Sequence, residues 1–493
     1  MKPLVTLRAA LDDPALLGDI LAGNSWAPWR SILLAAMGEE LTPPELSWFT
    51  QLTGRASPPP HRVDELWAVV GRRGGKSKAM AALTVYIAGL CDHRDVLTAG
   101  EKGIVLCISP DQRQSKITLD YACGILESCP MLSQLIAGRT ADTLELTNGI
   151  VIEVRSANFR RLRGPTCVAV VCDEAAFWHS DEVANPDTEI LNAVRPSLAT
   201  TRGPLIVISS PYARRGEVWT TYKRDYGSAG NPLILVCQGA SITFNNTLPQ
   251  SVVDAAYARD PARAVAEFGG QFRTDIESLV TIEAVQACIE AGTRERPPSR
   301  HNLYCAFVDP SGGSADAFTL AIAHAEGKRE AKTAILDCVR EIRPPFSPEA
   351  IVQEFCELLK KYRITKVAGD RYAGEWPREQ FRKYGVLYEP AGRTKSELFL
   401  DLLPLINSRM VDLLDNDKLL SQFVGLERRT SRGGKDSIDH APGGHDDVAN
   451  AVAGALVVTM AKKSADMRGE FRSERDFPKV TRGYEDIKRG YGW

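Results

Sequence analysis

Three stretches of this chain carry residue types that handle phosphate. The first is VVGRRGGKSKAMAAL, residues 69–83, where an apolar run ends in Gly71, Arg72, Arg73, Gly74 and Gly75, and Lys76 and Ser77 then open an alanine-rich helical pattern. A glycine-rich turn between a strand and a helix aims backbone N–H groups and the helix N-terminus at phosphate oxygens. In that frame Lys76 reaches the β- and γ-phosphates of ATP and Ser77 ligates the magnesium. The spacing departs from G-x-x-x-x-G-K-[ST]: Val70 stands where the first glycine belongs, and the glycine has moved to Gly71. An ordinary glycine turn before a helix is the plain alternative. The second stretch, CVAVVCDEAAFW, puts Asp173 and Glu174 at the end of an all-apolar run. Two adjacent carboxylates there are costly without a purpose. Asp173 is suited to hold magnesium through water and Glu174 to orient an attacking water; capping of the next helix is the alternative. The third, PLIVISSPYARRGEVW, ends a buried run in Ser209-Ser210-Pro211. Hydroxyls at that place can sense loss of the γ-phosphate, or simply end a strand at a turn.

A separate acidic set lies in the last third of the chain. Asp309 ends the run AFVD, Asp370 ends ITKVAGD, and Asp446-Asp447 opens the alanine-rich DDVANAVAGAL. Strand ends facing a helix start can bring three carboxylates together, and such a group repels itself unless cations sit among it. That is the construction of two-metal phosphodiester cleavage, with Mg2+ or Mn2+ as oxygen-ligated metals. Asp316, in SGGSADAF, is a further candidate ligand or a turn residue, and each single Asp is by itself a plain cap or turn former.

The elements that must position these residues follow from the patterning. LWAVV, IVLCIS, CVAVVC and PLIVISS are short β-rich apolar runs separated by helical patterns, as in a mainly parallel sheet buried on both faces. LELTNGIVIEV adds a hairpin with Asn148-Gly149 at its turn. After 302 three strand-like runs at short spacing predict an antiparallel meander, followed by a helix over about 348–361, a strand at ITKVAGD and more helices. Proline-rich punctuation at 56–62 and 294–302 marks boundaries. A chain of 493 residues exceeds one ordinary core. Its eleven cysteines have no C-x-x-C pair, which predicts reduced thiols without a zinc site. No run reaches membrane-spanning length and the N-terminus lacks a signal-peptide pattern. At a net charge of −2, DNA binding has to come from local patches, one candidate being the tail from Lys462.

The order of these motifs resembles the large terminase subunit of tailed bacteriophages over about residues 60–460, with GRRGGKS, RRLRGPTCVAVVCDEAAF, ISSP and the Asp309/Asp370/Asp447 order carrying the resemblance. It implies an α/β protein: an N-terminal phosphate-loop NTPase domain of the ASCE type and a C-terminal RNase H-like nuclease domain. The divisions expected are an N-terminal extension or lid at 1–60, the ATPase at 61–245, a linker subdomain at 246–300, the nuclease at 301–462 and a flexible basic tail at 463–493. The resemblance implies that Arg72 or Arg73 contacts nucleotide phosphates or helps couple hydrolysis to motion. It makes Arg163 a finger presented to a neighbouring subunit's ATP, the alternative being a basic loop with Arg160 and Arg161. It makes Gln51 the candidate adenine contact and Ser209-Ser210 the coupling motif. It favours Asp447 over Asp446 as the third ligand, with Asn450 where related enzymes carry another carboxylate. Lys395 is a candidate backbone-phosphate contact or a solvated helix-end lysine.

The function implied is a viral DNA-packaging motor that translocates double-stranded DNA into a procapsid and cuts concatemeric DNA. Its cofactors are ATP with Mg2+ and two divalent metals at the nuclease. Its partners are double-stranded DNA, a small terminase subunit and a portal protein, on which it forms a pentamer from monomers, in the host cytoplasm and off any membrane. The rivals are a helicase-like or DNA-remodelling ATPase with a non-cutting C-terminal domain, and a nucleotide-gated assembly protein.

Overall fold

The computed structural model describes residues 1–158, 162, 164–180, 183–311, 316–327, 332–370, 375–430 and 436–461. The N-terminal half contributes strands β1 (Lys2–Pro3), β2 (Glu65–Val70), β3 (Cys91–Asp92), β4 (Gly103–Ser109), β5 (Ile136–Arg139), β6 (Thr143–Leu146), β7 (Ile150–Ser156), β8 (Cys167–Asp173), β9 (Leu205–Ser209) and β10 (Ile234–Gly239). Eight of these form one sheet in the order β10-β2-β9-β8-β4-β7-β6-β5. The first six are mutually parallel, and β6 and β5 add an antiparallel edge. Alternate residues of β2 face two different cores. Leu66, Ala68 and Val70 join the one that takes the N-terminal helices, and Trp67 and Val69 join the one behind β8 and β9. A strand buried on both faces has no polar side to alternate with, which is why these runs are continuously apolar. The β6–β7 turn is the expected one, with Gly149 at φ 83°.

The C-terminal half contributes β11 (Ile276–Ser278), β12 (Ile289–Glu290), β13 (Tyr304–Asp309), β14 (Phe318–Glu326), β15 (Thr333–Ile342), β16 (Lys366–Gly369), β17 (Leu387–Pro390), β18 (Val411–Leu414), β19 (Leu426–Thr430) and β20 (Asp436–His440). Its main sheet runs β12-β18-β15-β14-β13-β16-β17. The meander β13-β14-β15 is antiparallel, while β16 lies parallel to β13 and β17 parallel to β16. One face packs on the helix Asp447–Ala461 and the other on the helix Pro348–Lys361. The first helix sits very close to the sheet because it is built from small residues: a Cβ on Gly454 would lie 2.2 Å from the Phe307 ring. All eleven cysteines are free and buried, and no described helix is long and apolar enough to cross a membrane.

The segment 246–300, expected as a linker, holds helices Gln250–Arg259 and Pro261–Glu267. It also supplies β11, which pairs with β19 in a three-stranded sheet with β20. That small sheet is one place where the two halves meet; Ser421 Oγ donating to Ser180 O at 2.9 Å is another. Glu427 of β19, fully buried, accepts hydrogen bonds from Tyr212 Oη at 2.7 Å, Arg215 Nη2 at 2.6 Å and Arg429 Nη2 at 2.9 Å. Arg273 N donates to Tyr212 O at 2.7 Å from the chain leading into β11. A carboxylate with no solvent holds two cations and a phenol, so its removal strands them. Glu427→Ala should lower stability by about 3 kcal/mol, since the arginines are partly exposed and rehydrate in part; urea unfolding of the full chain measures it, and an unchanged midpoint would show the junction contributes nothing.

Candidate functional site

The nucleotide-site candidates converge. β2 delivers the glycine turn, and the helix Lys76–Gly89 begins at Lys76. Gly75 is left-handed at φ 82°, and a Cβ there would meet Trp26 at 2.9 Å and the Trp29 indole nitrogen at 3.3 Å. Gly71 is equally confined, since a Cβ would lie 2.4 Å from Ser241 Oγ. The glycine that slipped from position 70 is therefore required where it stands, by packing against the start of the helix Ser241–Phe244. The loop backbone is tied down from outside: Trp29 Nε1 donates to Gly74 O at 2.7 Å, Ser241 Oγ to Arg72 O at 2.6 Å, and Asn245 Nδ2 to Arg73 O at 2.8 Å. Trp29 packs against Phe244 with centroids 4.7 Å apart and ring planes tilted by 49°, and Lys78 lies over the Trp26 ring at 5.1 Å. None of these braces was foreseen. The signal in the sequence was the tryptophan pair in NSWAPW, of which Trp29 is buried in the core beside the loop.

Lys76 is 7% exposed, and its ammonium is held entirely by oxygens. It donates to Val70 O at 3.0 Å and to Ser210 Oγ at 2.8 Å, and lies 3.3 Å from Glu174 Oε1. Glu174 takes a left-handed backbone at φ 50°, uncommon for a residue with a side chain. Its other oxygen accepts the Ser210 N–H at 3.0 Å. β9 lies between β2 and β8 in the sheet, so Ser209-Ser210 at its end is bound to fall between the lysine and the acidic pair. Asp173 is buried, and burial together with the Glu174 charge pushes its carboxyl up to about 7, against the pull of Lys76. Its Oδ1 has no hydrogen-bond partner. A buried oxygen of that kind fits a magnesium-bound water, and half-buried Ser77 stands at the second residue of the adjoining helix. Arg72 and Arg73 are exposed, and Arg72 pairs with Glu267 at 3.3 Å. Gln51 is exposed on the helix Pro43–Thr53 with no hydrogen bond or ion pair tying it to the loop. Arg163, like Arg160 and Arg161, lies outside the described residues.

The acidic set also converges. Asp309 ends β13, and Asp370 follows β16, its N–H donating to Val308 O at 3.2 Å. A Cβ on Gly369 would be 2.4 Å from the Tyr388 ring, whose hydroxyl donates to Asp370 O at 2.8 Å. Asp447 is the first residue of the small-residue helix, anchored by Thr319 Oγ1 donating to its carbonyl at 2.8 Å. One turn on, buried Asn450 donates to Asp309 Oδ2 at 2.8 Å. The asparagine that replaces an expected carboxylate thus orients the central one. Burial pushes Asp309 up to about 8; of the neighbouring charges Asp447 raises it most, then Asp370, then Asp446. Asp447 is itself raised by burial and then by Asp446 and exposed Asp316. Carboxylates that lift one another in this way fit a divalent cation, which would favour their charged forms together. Asp447 faces the triad, while Asp446 turns to Lys395, 2.9 Å away. The expectation for Lys395 needs correcting. It is not a simple solvated helix end: half-buried, its ammonium is ion-paired with Asp446 and, at 2.8 Å, with Asp439.

The raised Asp309 has a consequence for stability. Between the ordinary value of 3.8 and about 8 the folded chain keeps a proton that the unfolded chain has released, so this contribution falls as pH rises through that window. Asp309→Asn should therefore raise the free energy of unfolding near pH 9 without metal by on the order of a few kcal/mol, seen as a higher melting temperature, and leave both unchanged near pH 4. Thermal melts at both pH values check this.

No family model matches the chain, and no curated protein does. Solved structures similar to it are phage large terminases. The HK97 bacteriophage large terminase is 15% identical, over 87% of this chain and 99% of that one, at a TM-score of 0.37. A large terminase from a thermophilic bacteriophage, in complex with ADP, is 10% identical, over 87% and 98%, at 0.38. The large terminase nuclease of the thermophilic phage G20c with bound magnesium is 16% identical, over 36% and 95%, at 0.30. At these identities and TM-scores no residue role is carried over from them.

Proposed function

We propose that the protein is a DNA-packaging motor of a tailed bacteriophage, an ATPase that moves double-stranded DNA into a procapsid and a metal-dependent endonuclease that cuts it. The observation that carries this reading is the position of one turn, Ser209–Tyr212. Its serines touch Lys76 and Glu174, and its tyrosine touches Glu427 of the C-terminal half. A nucleotide site and a carboxylate site built into one chain and joined at one turn suit a machine in which hydrolysis drives a second domain.

In the ATPase half, Lys76 would bind the β- and γ-phosphates, and Ser77 and Asp173 would hold the accompanying Mg2+. Glu174 orients the attacking water and takes its proton as the terminal phosphoryl leaves. When the phosphate no longer occupies Lys76, the ammonium returns to Ser210 and Val70 O, and the turn carries that shift to Tyr212. Tyr212 packs on Phe177, three residues beyond Glu174, with centroids 5.3 Å apart. In the nuclease half, Asp309, Asp370 and Asp447 would hold two divalent metals, which would supply Lewis-acid activation of water and stabilisation of the leaving 3′-oxygen. Asn450 keeps Asp309 oriented for that task.

DNA grip comes from phosphate contacts and is salt-sensitive and sequence-blind. A small terminase subunit selects the target, and a portal organises a pentamer in the host cytoplasm. Glu174→Ala should cut ATP turnover by at least about 100-fold while ATP binding persists. Asp370→Ala should abolish cutting of supercoiled plasmid in Mg2+ or Mn2+ with ATPase activity intact. Strand displacement by a chain that cuts nothing with either metal would favour a helicase-like remodelling enzyme instead.

A further inference from the structure

Two tryptophans touch the phosphate loop, and the architecture of the loop accounts for only one of them. Trp29 is fully buried on the helix Ala27–Ala36, and its indole N–H is spent on Gly74 O at 2.7 Å. Trp26 closes the short 3-10 turn Asn24–Trp26 just before that helix and is half-buried. The edge of its ring borders Gly75, the residue directly before Lys76, where an added Cβ would come to 2.9 Å. Its indole N–H makes no hydrogen bond among the described residues. An aromatic ring with a free donor, set beside a loop whose backbone is already braced by its neighbour, is available to a ligand.

Trp26 also stands on the side of the loop away from the terminal phosphate. Lys76 runs to Ser210 and Glu174 at the ends of β9 and β8, so the γ-phosphate of a nucleotide held by the loop points towards those strands. In the sheet β2 has β9 on that side and β10 on the other. With the phosphates laid along the loop and the helix N-terminus, the nucleoside emerges at the opposite end, on the β10 side. There the helix Ser241–Phe244, which follows β10, packs through Phe244 on Trp29, and Trp26 lies against the same core. Lys78, on the first turn of the helix that begins at Lys76, holds its ammonium 5.1 Å from the Trp26 ring centroid.

We propose that Trp26 is the platform on which the base of the bound nucleotide stacks, and that Lys78 passes from the ring to the α-phosphate as the base arrives. The inference rests on the ATPase reading above and names a contact that reading lacks, since exposed Gln51 is not tied to the loop. Every base offers a π-face to an indole whatever groups its edge carries, so the platform binds the base without reading its identity. An ammonium held over the ring shows that this face takes a partner. Displaced by the base, it stays on the turn whose backbone meets the phosphates, where a positive charge is of use. The two tryptophans thereby divide the work: Trp29 fixes the loop and Trp26 receives the nucleoside.

The test separates base from phosphates. Full-length protein in Mg2+ is titrated calorimetrically with the non-hydrolysable analogue AMP-PNP and, separately, with tripolyphosphate, which has three phosphates and no base. Trp26→Ala should weaken AMP-PNP binding by on the order of 10–100-fold and change tripolyphosphate binding by no more than about twofold, while Trp26→Tyr restores most of the AMP-PNP affinity. An equal loss for both ligands makes Trp26 a second brace of the loop and overturns the inference, as does no loss for either. A wild-type chain that binds neither ligand overturns the nucleotide-site reading itself. Should Trp26→Ala fail to fold, tryptophan emission decides with Trp26→Phe. AMP-PNP should quench the wild type where tripolyphosphate does not, and that quench should vanish in Trp26→Phe. No base-dependent quench in the wild type, or one that persists in Trp26→Phe, overturns the inference.

Discussion

Much of this molecule is arranged around one buried ammonium. Lys76 has given up nearly all its water, and a lysine in that position is tolerated only where oxygens replace the lost hydration. Its partners come from three parallel strands: Val70 from β2, Glu174 from the end of β8 and Ser210 from the end of β9. Each must arrive at the same edge of the sheet, which requires parallel pairing and the order β2-β9-β8. Sheet topology is therefore fixed by the charge as much as by the core. The same cluster leaves Asp173 adjacent, buried and lifted, with an oxygen lacking a partner. A site so short of counter-charge for its acids and so rich in fixed donors is poised for a magnesium nucleotide.

The second half meets a shortage of counter-charge more severely. Carboxylates outnumber cations there, and the fold brings them together by removing bulk. Gly454 and the alanines of the last helix let it settle onto Phe307, which carries Asp447 and Asn450 to Asp309. Gly369 lets the Tyr388 ring close on Asp370. Repulsion is relieved in two ways within a few residues: Asn450 supplies a neutral donor where a fourth acid would have added charge, and Lys395 supplies a full positive charge to Asp446.

Most of the chemistry was legible in the sequence because strand ends are. An apolar run that stops at Asp, Glu or Ser announces a residue at the carboxyl edge of a buried sheet, and Asp173, Glu174, Ser209, Asp309 and Asp370 all sit there. The hairpin at Asn148-Gly149 and the meander after 302 were legible for the same reason of local pattern. What periodicity does not encode is contact between distant elements. Trp29 reaching Gly74, Ser241 confining Gly71 and Glu427 binding Tyr212 and Arg215 each span tens to hundreds of positions. Lys395 looked like a solvated helix end since its partners, Asp439 and Asp446, are brought to it only by tertiary structure. β11 was hidden in a stretch with linker composition because a three-residue strand has too few positions to show alternation.

The small sheet of β11, β19 and β20 then acquires a mechanical meaning. In the antiparallel ladder Glu427 stands directly opposite Asp439. Directly opposed residues project to the same side of a pair, so the two carboxylates are neighbours across one rung. Glu427 receives Tyr212 and Arg215 from the turn that begins at Ser209, and Asp439 holds Lys395, which holds Asp446 beside the triad. From Ser210 to Tyr212 and Arg215 the succession is the backbone of the turn, and from there to Asp446 each step is a hydrogen bond, an ion pair or a ladder rung. Tyr212 is clasped on the ATPase side by the Phe177 ring and from the segment before β11 by Arg273 N. On the proposed cycle, a rotation of the turn at Ser210 has to be taken up at Glu427 or break its bonds. In the proposed motor, the contacts that hold buried Glu427 are the route by which a change of oxygen ligand on Lys76 would reach the carboxylates of the other domain.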